Sequence, residues 1–339
     1  MQSFFMNTLH SYRSKVKDYS QTAKHIAAID IGTNTAHLLV VEVPSQQQIF
    51  TPFRILHKEK IATKIGEGGI SYGFITEPAQ ERLLKALLQF CEVLEYYAIA
   101  PENTLTIATS AFRNASNQKE IIEKIYAKTG LRVCVISGEQ EAEYIYYGVK
   151  AALKIGKGNS LIMDIGGGSV EFILCDSEKM LWKQSFEIGA QRLLDKFMQG
   201  EKITETERIA LNDFLETTLQ PLTEILQIYP ADVLIGCSGT FDTIDDINLI
   251  KKHQKLDYNA KESAFTQAEF EVIFQEFLTK NHAERLAIPG MTPMRADMIV
   301  VASCLLDFVL RKYKISQIRV SHYSLKEGVI FKFLQENNF

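Results

Sequence analysis

The chain has 339 residues, 46% of them hydrophobic and 23% charged, the composition of a soluble globular protein long enough for two domains. Thirty-seven basic residues against 41 acidic ones give a net charge of −4, so no global field draws the protein to nucleic acid or to an anionic membrane. The five cysteines (Cys91, Cys134, Cys175, Cys237, Cys304) are odd in number and widely spaced with no C-x-x-C pair, which argues against a disulfide framework or structural zinc.

In chain order, residues 1–20 hold a brief apolar run, Phe4-Phe5-Met6, and then Arg13, Lys15 and Lys17. A secretory signal places its charges first, so the expectation is a cytoplasmic extension. No run of about 18 apolar residues occurs, and no membrane-spanning helix is expected. Strands over 25–31 and 36–43 meet in the turn Asp30-Ile31-Gly32-Thr33-Asn34-Thr35. A third strand over about 49–65 ends in the glycine-rich Lys64-Ile65-Gly66-Glu67-Gly68-Gly69. Thr76 reads as an N-cap, and Glu77-Pro78 opens a helix to about residue 97. A strand over 104–108 leads to Thr109-Ser110-Ala111-Phe112-Arg113; a helix over 117–129 and a strand over 132–136 complete an α/β domain. Ser137-Gly138-Glu139-Gln140-Glu141 opens the next helix, with Tyr144, Ile145, Val149 and Ala152 facing inward. Its acidic start suits the positive end of the helix dipole.

The stretch Ile162-Met163-Asp164-Ile165-Gly166-Gly167-Gly168-Ser169-Val170-Glu171 then repeats the first turn: an apolar strand brings a carboxylate to a glycine turn, and a second carboxylate leaves on the next strand. Nothing projects from three consecutive glycines, so successive N–H groups can face one anion. Strand–turn–strand is not the strand–turn–helix of a Walker A loop or a Rossmann fingerprint. The plain alternative is a ligand-free hairpin, and the second Asp-Ile-Gly copy weighs against it. Further strands to about 175 and over 180–186 precede Ile188-Gly189-Ala190-Gln191-Arg192-Leu193, a helix start. A long helix over 204–229, a strand over 233–236 and the turn Cys237-Ser238-Gly239-Thr240 follow, where Ser238 and Thr240 bond phosphate or simply cap a helix. The lysine-rich loop over 251–261 is a solvated face or a guide for a polyanion. Met294-Arg295-Ala296-Asp297-Met298 leads into a buried helix, a strand covers 318–321, and Leu325-Lys326-Glu327-Gly328 opens a terminal helix.

Both Asp-Ile-Gly turns, Ser-Gly-x-x-Glu, Gly-Ala-x-Arg-Leu and Arg-Ala-Asp, in this order, resemble the Ppx/GppA phosphatase family, the exopolyphosphatases and guanosine pentaphosphate phosphohydrolases of the actin-like ATPase superfamily. The resemblance runs from Ala28 to Val329. It implies an α/β fold of duplicated actin-like (ribonuclease H-like) domains with an inter-domain cleft: an extension over 1–20, domain I over 21–137 with the helix over 325–339 packing back on it, and domain II over 138–324. It also implies a short form without the C-terminal helical domain of longer members. Lys64 stands where the family has arginine and loses the bidentate fork. His37 stands where the family has arginine or histidine, so its charge depends on pH near neutrality. Gln140 replaces a residue that is often glutamate, which leaves Glu141 as the better match.

The implied activity is release of terminal phosphate from polyphosphate or guanosine pentaphosphate. Phosphoryl transfer needs charge neutralisation, an in-line nucleophile and a group to orient it. The resemblance assigns phosphate contacts to Gly32, Thr33, Asn34, Thr35, His37, Gly166, Gly167, Gly168, Ser169, Ser238, Gly239 and Thr240, with cations at Arg113, Arg192 and Arg295; a solvated loop is the bland role of Arg113. Asp30, Asp164 and Glu171 are expected to hold magnesium, whose hardness suits carboxylate and phosphate oxygens. Glu141 is expected to act as base. A homodimer is the expected assembly, with neither nucleic acid nor membrane as partner. The competing readings are a sugar or carboxylate kinase on the same core and a non-enzymatic nucleotide-dependent filament or chaperone protein.

Overall fold

The computed structural model describes residues 24–44, 53–257 and 259–337; the expected extension over 1–20 lies outside them. The chain divides into two units, one ending at Ser137 and rejoined from Leu325, the other Gly138–Ser324.

In the first unit, strands β1 (Lys24–Ile31) and β2 (Thr35–Val43) are apolar along nearly their whole length, as befits strands covered on both faces. They pair antiparallel, and β3 (Arg54–Ala62) adds to β2 as an edge strand. Its Arg54, Lys58 and Lys60 are of the charged kind that blunts a sheet edge. Helix α1 (Glu77–Tyr96) buries Leu83, Leu87, Phe90 and Leu94 at helical spacing. Thr76 enters it with extended backbone but gives no side-chain cap. Strand β4 (Leu105–Ala108), the short helix α2 (Ser110–Arg113), helix α3 (Gln118–Thr129) and strand β5 (Val133–Val135) follow. The five-stranded order is β3-β2-β1-β4-β5, with β4 parallel to β1 and β5 parallel to β4.

The second unit opens with α4 (Gly138–Ala152), whose buried face carries Glu141, Ala142, Ile145, Tyr146 and Val149. Tyr146 takes the inward place expected of Tyr144, which is only half-buried. Strands β6 (Ser160–Ile165), β7 (Val170–Cys175) and β8 (Met180–Phe186) form an antiparallel meander. Helix α5 (Ala190–Phe197) follows. The single long helix expected over 204–229 is two, α6 (Glu205–Thr218) and α7 (Gln220–Ile228), because Pro221 opens the second and cannot continue the first. Strand β9 (Val233–Cys237) runs straight into helix α8 (Ser238–Lys251), so Cys237–Thr240 is a strand-to-helix junction and not a free turn. The helix ends at Lys251, and the described residues that follow, up to β10, form the exposed loop expected there, with Lys251 and Lys252 paired with Glu276 and Glu269. Strand β10 (Glu262–Thr266), helices α9 (Gln267–Thr279), α10 (His282–Leu286) and α11 (Met298–Tyr313), and strand β11 (Gln317–Ser321) complete the unit. Helix α11 is apolar on nearly all sides and runs through the larger core. Helix α12 (Leu325–Glu336) returns to the first unit and packs on β1.

The second sheet has the order β10-β11-β9-β6-β7-β8, with β9 parallel to β6 and β11 parallel to β9. Without its extra edge strand β10, this is the plan of the first sheet: a three-strand meander, then two parallel strands beside its first member. Two mixed α/β units built on that plan make the duplicated actin-like fold anticipated from the motifs.

Candidate functional site

The two Asp-Ile-Gly turns occupy the same place in their sheets. In the first, Asp30 faces His37 across β1–β2 and Ile31 faces Ala36; in the second, Asp164 faces Glu171 across β6–β7 and Ile165 faces Val170. Each turn closes with the same bond, Gly32 N–H to the Thr35 carbonyl and Gly166 N–H to the Ser169 carbonyl, both 3.0 Å. His37 is thus the positional partner of Glu171, and its Nε2 lies 2.8 Å from Thr35 Oγ1.

What surrounds the turns explains how they are aimed. In the first unit, the Thr33 carbonyl accepts from Gly66 N–H at 2.9 Å and the Asn34 carbonyl from Thr63 and Lys64 at 3.0 and 2.9 Å. Gly66 lies so close that a Cβ there would stand 2.4 Å from Thr33 Cγ2. Lys64 holds a left-handed backbone (φ 46°) in this loop, and Arg82 braces it through the Thr63 and Lys64 carbonyls and Glu67. In the second unit, the N–H groups of Gly189, Ala190 and Gln191 at the start of α5 donate to the carbonyls of Gly168, Gly166 and Gly167. Arg192 Nε also donates to the Gly168 carbonyl at 2.9 Å, while its Nη2 meets Glu187. A trans peptide points its N–H opposite to its carbonyl, so engaging these carbonyls from behind turns the N–H groups of the same peptide units the other way. The structure therefore places Arg192 on the carbonyl side of the glycine turn, as a brace.

Around the second turn the structure gathers Asp164, Glu171, Ser169, Ser238, Thr240 and Arg295, with Glu141 near enough to Glu171 for their charges to oppose. Glu141, Asp164 and Glu171 are all buried. Burial above all, and then the charges of Glu141 and Asp164, push the Glu171 carboxyl well above the usual carboxylate range; hydroxyls of Ser185 and Ser169 pull it back in part. Burial also raises Asp164, against hydrogen bonds from Ser238, Ser324 and Cys237 and the nearby Arg295 charge. Arg295 lies across Gly239, where a Cβ would stand 2.3 Å from Nη2, and its Nη1 reaches Thr240 Oγ1 at 3.3 Å. Its Nε is buried and makes no hydrogen bond among the described residues. Burial lowers its pKa, while Asp242 and Asp164 favour the charge. A buried cation with an unused donor is suited to an anion.

Arg295 is carried on a loop held by Arg285, which is fully buried and donates to the carbonyls of Glu201, Lys280 and Ala296. In the first unit, Arg113 ends α2, half-buried, and its Nη1 lies 3.4 Å from the Ile136 carbonyl. Sequence reasoning missed Ser324, Ser185, Gly189, Arg82 and Arg285 as parts of this machinery. Gly189 stood inside a recognised motif; Ser324 directly precedes another.

The profile of the Ppx/GppA phosphatase family matches residues 39–337. A bifunctional 3-dehydroquinate synthase/phosphatase of Fusobacterium nucleatum is 30% identical over 90% of this chain and 46% of its own length. A guanosine-5'-triphosphate,3'-diphosphate pyrophosphatase of Vibrio vulnificus is 27% identical over 91% of this chain and 59% of its own length, so the chain spans about half the length of these curated relatives. The crystal structure of an exopolyphosphatase from Cytophaga hutchinsonii superposes with a TM-score of 0.88 at 39% identity, covering 92% of this chain and 98% of that one. The Aquifex aeolicus family member, 24% identical over 94% of this chain and all of its own, has the same fold with a TM-score of 0.75. With two equivalent glycine turns, each aimed by the segment behind it, and a profile match across nearly the whole described chain, the protein belongs to the Ppx/GppA phosphatase family.

Proposed function

We propose that the protein is a phosphohydrolase that removes the terminal phosphoryl group of inorganic polyphosphate, of guanosine pentaphosphate, or of both, with magnesium. The observation that carries this reading is the Gly166–Ser169 turn, whose carbonyls are occupied from behind by α5 while buried carboxylates and Arg295 stand beside it. The names of the similar proteins from Vibrio vulnificus and Cytophaga hutchinsonii agree with it.

The donor chemistry fits magnesium. Asp164 and Glu171 offer hard oxygens, and the mutual repulsion that raises Glu171 is the kind a divalent cation relieves. Magnesium is commonly held by one or two carboxylates together with phosphate oxygens and water. Asp164 and Glu171 would hold it, with Asp30 as the corresponding group of the first unit. Bound there, it would neutralise charge on the phosphoryl oxygens.

The N–H groups of the glycine turn, Ser169, Ser238, Gly239 and Thr240 bind phosphate oxygens, as do Gly32 to Thr35 and His37 of the first turn. Arg295 and Arg113 supply positive charge, and Arg192 keeps the turn in shape. Glu141 accepts a proton from water, whose oxygen bonds to the terminal phosphorus as the bridging P–O bond breaks and its electron pair leaves on the shortened chain. A cytoplasmic homodimer belongs to the same proposal.

The test compares phosphate release from long polyphosphate, tripolyphosphate, guanosine pentaphosphate and ATP with magnesium present. Release from one or more of the first three without an added acceptor supports the proposal. ADP formed only with a sugar or carboxylate acceptor would make the protein a kinase, and nucleotide-dependent sedimentation without turnover a filament protein.

A further inference from the structure

We propose that Ser324 is a positioning residue that fixes the rotation of the Asp164 carboxylate and reserves its Oδ1 for the cation; this rests on the phosphohydrolase reading above. Every hydrogen bond to the Asp164 side chain among the described residues falls on one oxygen, Oδ2. Ser238 Oγ and Ser324 Oγ each donate to it at 2.6 Å, and Cys237 Sγ at 3.4 Å. Cys237 and Ser238 are neighbours at the β9–α8 junction, so their two bonds arrive from one segment. Ser324 comes from the segment after β11, 160 residues along the chain from Asp164. Donors from two separate segments on one oxygen stop the carboxylate from turning, and the oxygen left over is the one a hard cation can use.

The backbone of Ser324 is itself wedged in place. Gly148 of α4 lies against it so closely that a Cβ at 148 would stand 2.0 Å from the Ser324 carbonyl oxygen and 2.8 Å from its carbon. Only glycine permits that approach. Helix α4 also carries Glu141, so Ser324 links the carboxylate proposed to hold the cation with the helix that bears the proposed base. Ser324 is the last residue of the second unit, where the chain leaves for α12. Ser238 holds its share of the arrangement with a left-handed backbone, φ 68°, a conformation that a serine adopts only when its surroundings enforce it.

The experiment is calorimetric titration of magnesium into the protein with imidodiphosphate, a phosphate probe that resists hydrolysis, alongside turnover on tripolyphosphate. Ser324→Ala is expected to weaken magnesium binding about 10–100-fold, raise the magnesium needed for half-maximal turnover by the same factor, and leave KM for tripolyphosphate at saturating magnesium within about twofold. Ser324→Thr, which keeps the hydroxyl, is expected to recover most of the affinity. Wild-type magnesium affinity in a folded Ser324→Ala variant overturns the proposal. If that variant does not fold, Ser324→Cys, similar in bulk but a weak donor, carries the test, and unchanged affinity there overturns it equally. Absence of turnover by the wild-type protein on every phosphate substrate would sink the functional reading, while the titration would still report on Ser324.

Discussion

Glu141 and Glu171 are both buried glutamates of one cluster, and the structure asks different things of them. Glu141 lies on α4 and is the candidate base. Replacement by glutamine keeps size and polarity, so Glu141→Gln is expected to lower kcat by roughly 10²–10⁴ with little change in melting temperature or phosphate affinity. Near-normal turnover with slightly lower stability would reduce Glu141 to a partner of the helix dipole. Glu171 pays for its position in charge. Burial above all, and then the charges of Glu141 and Asp164, raise its pKa, and that opposes folding while it is ionised. Glu171→Gln removes the buried charge and its repulsion by Glu141 and Asp164, and is expected to raise stability at neutral pH while turnover falls. Thermal denaturation at pH 7 alongside a phosphate-release assay checks both; a destabilised Glu171→Gln protein would mean that hydrogen bonds from Ser185 and Ser169 outweigh the repulsion.

At the scale of elements, the junction between the glycine turn and α5 is the part with least tolerance. A Cβ on Gly189 would lie 2.4 Å from the carbon and oxygen of Gly167 and from the carbon of Gly168, which are backbone atoms that cannot swing aside. Gly189→Ala is therefore expected to cost about 1–3 kcal/mol of stability through overpacking. It should also misdirect the N–H groups of the turn, so that phosphate affinity falls by more than the fraction unfolded explains. Denaturant titration and KM measured on the folded fraction separate the two effects; wild-type KM would show that the turn's aim does not depend on α5.

For the molecule as a whole, the second unit carries a pH dependence away from the glycine turn. Asp242, Asp245 and Asp246 of α8 face His322 after β11. The Asp242 hydrogen bond above all, reinforced by the charges of the three aspartates, raises the His322 pKa above its usual value. Burial, with Asp242 and Asp245 adding to it, pushes Asp246 up to about 6. For both groups the folded state binds protons more tightly than the unfolded chain, so both contributions lower stability as pH rises. Asp246 acts as pH climbs from its unfolded value of 3.8 through about 6. His322 gives stability that is complete below its unfolded value of 6.5 and lost as pH rises through its higher folded value. Denaturation midpoints are expected to fall between pH 6 and 8, and His322→Asn to flatten that slope. A slope unchanged in the variant would assign it to other groups.

Much of this protein was legible in the sequence because its signals are local. A carboxylate followed by glycine between two apolar runs specifies strand, turn and strand without reference to anything distant, and its recurrence at Asp30 and Asp164 carries the duplicated α/β plan. Helix α11 is legible as an apolar stretch from Met298 to Leu310 interrupted only by Ser303 and Asp307. The tertiary structure decided what those elements press against. Local spacing could not place Ser324 on Asp164, Gly148 against Ser324, or Arg192 behind the Gly168 carbonyl, since each contact joins segments whose separation in sequence carries no pattern. Nor could it tell a free turn at Ser238 from a strand running into a helix, because serine and glycine suit both. Periodicity and turn chemistry are properties of a short window; close approach between windows is a property of packing, and it is packing that aims the glycine turns.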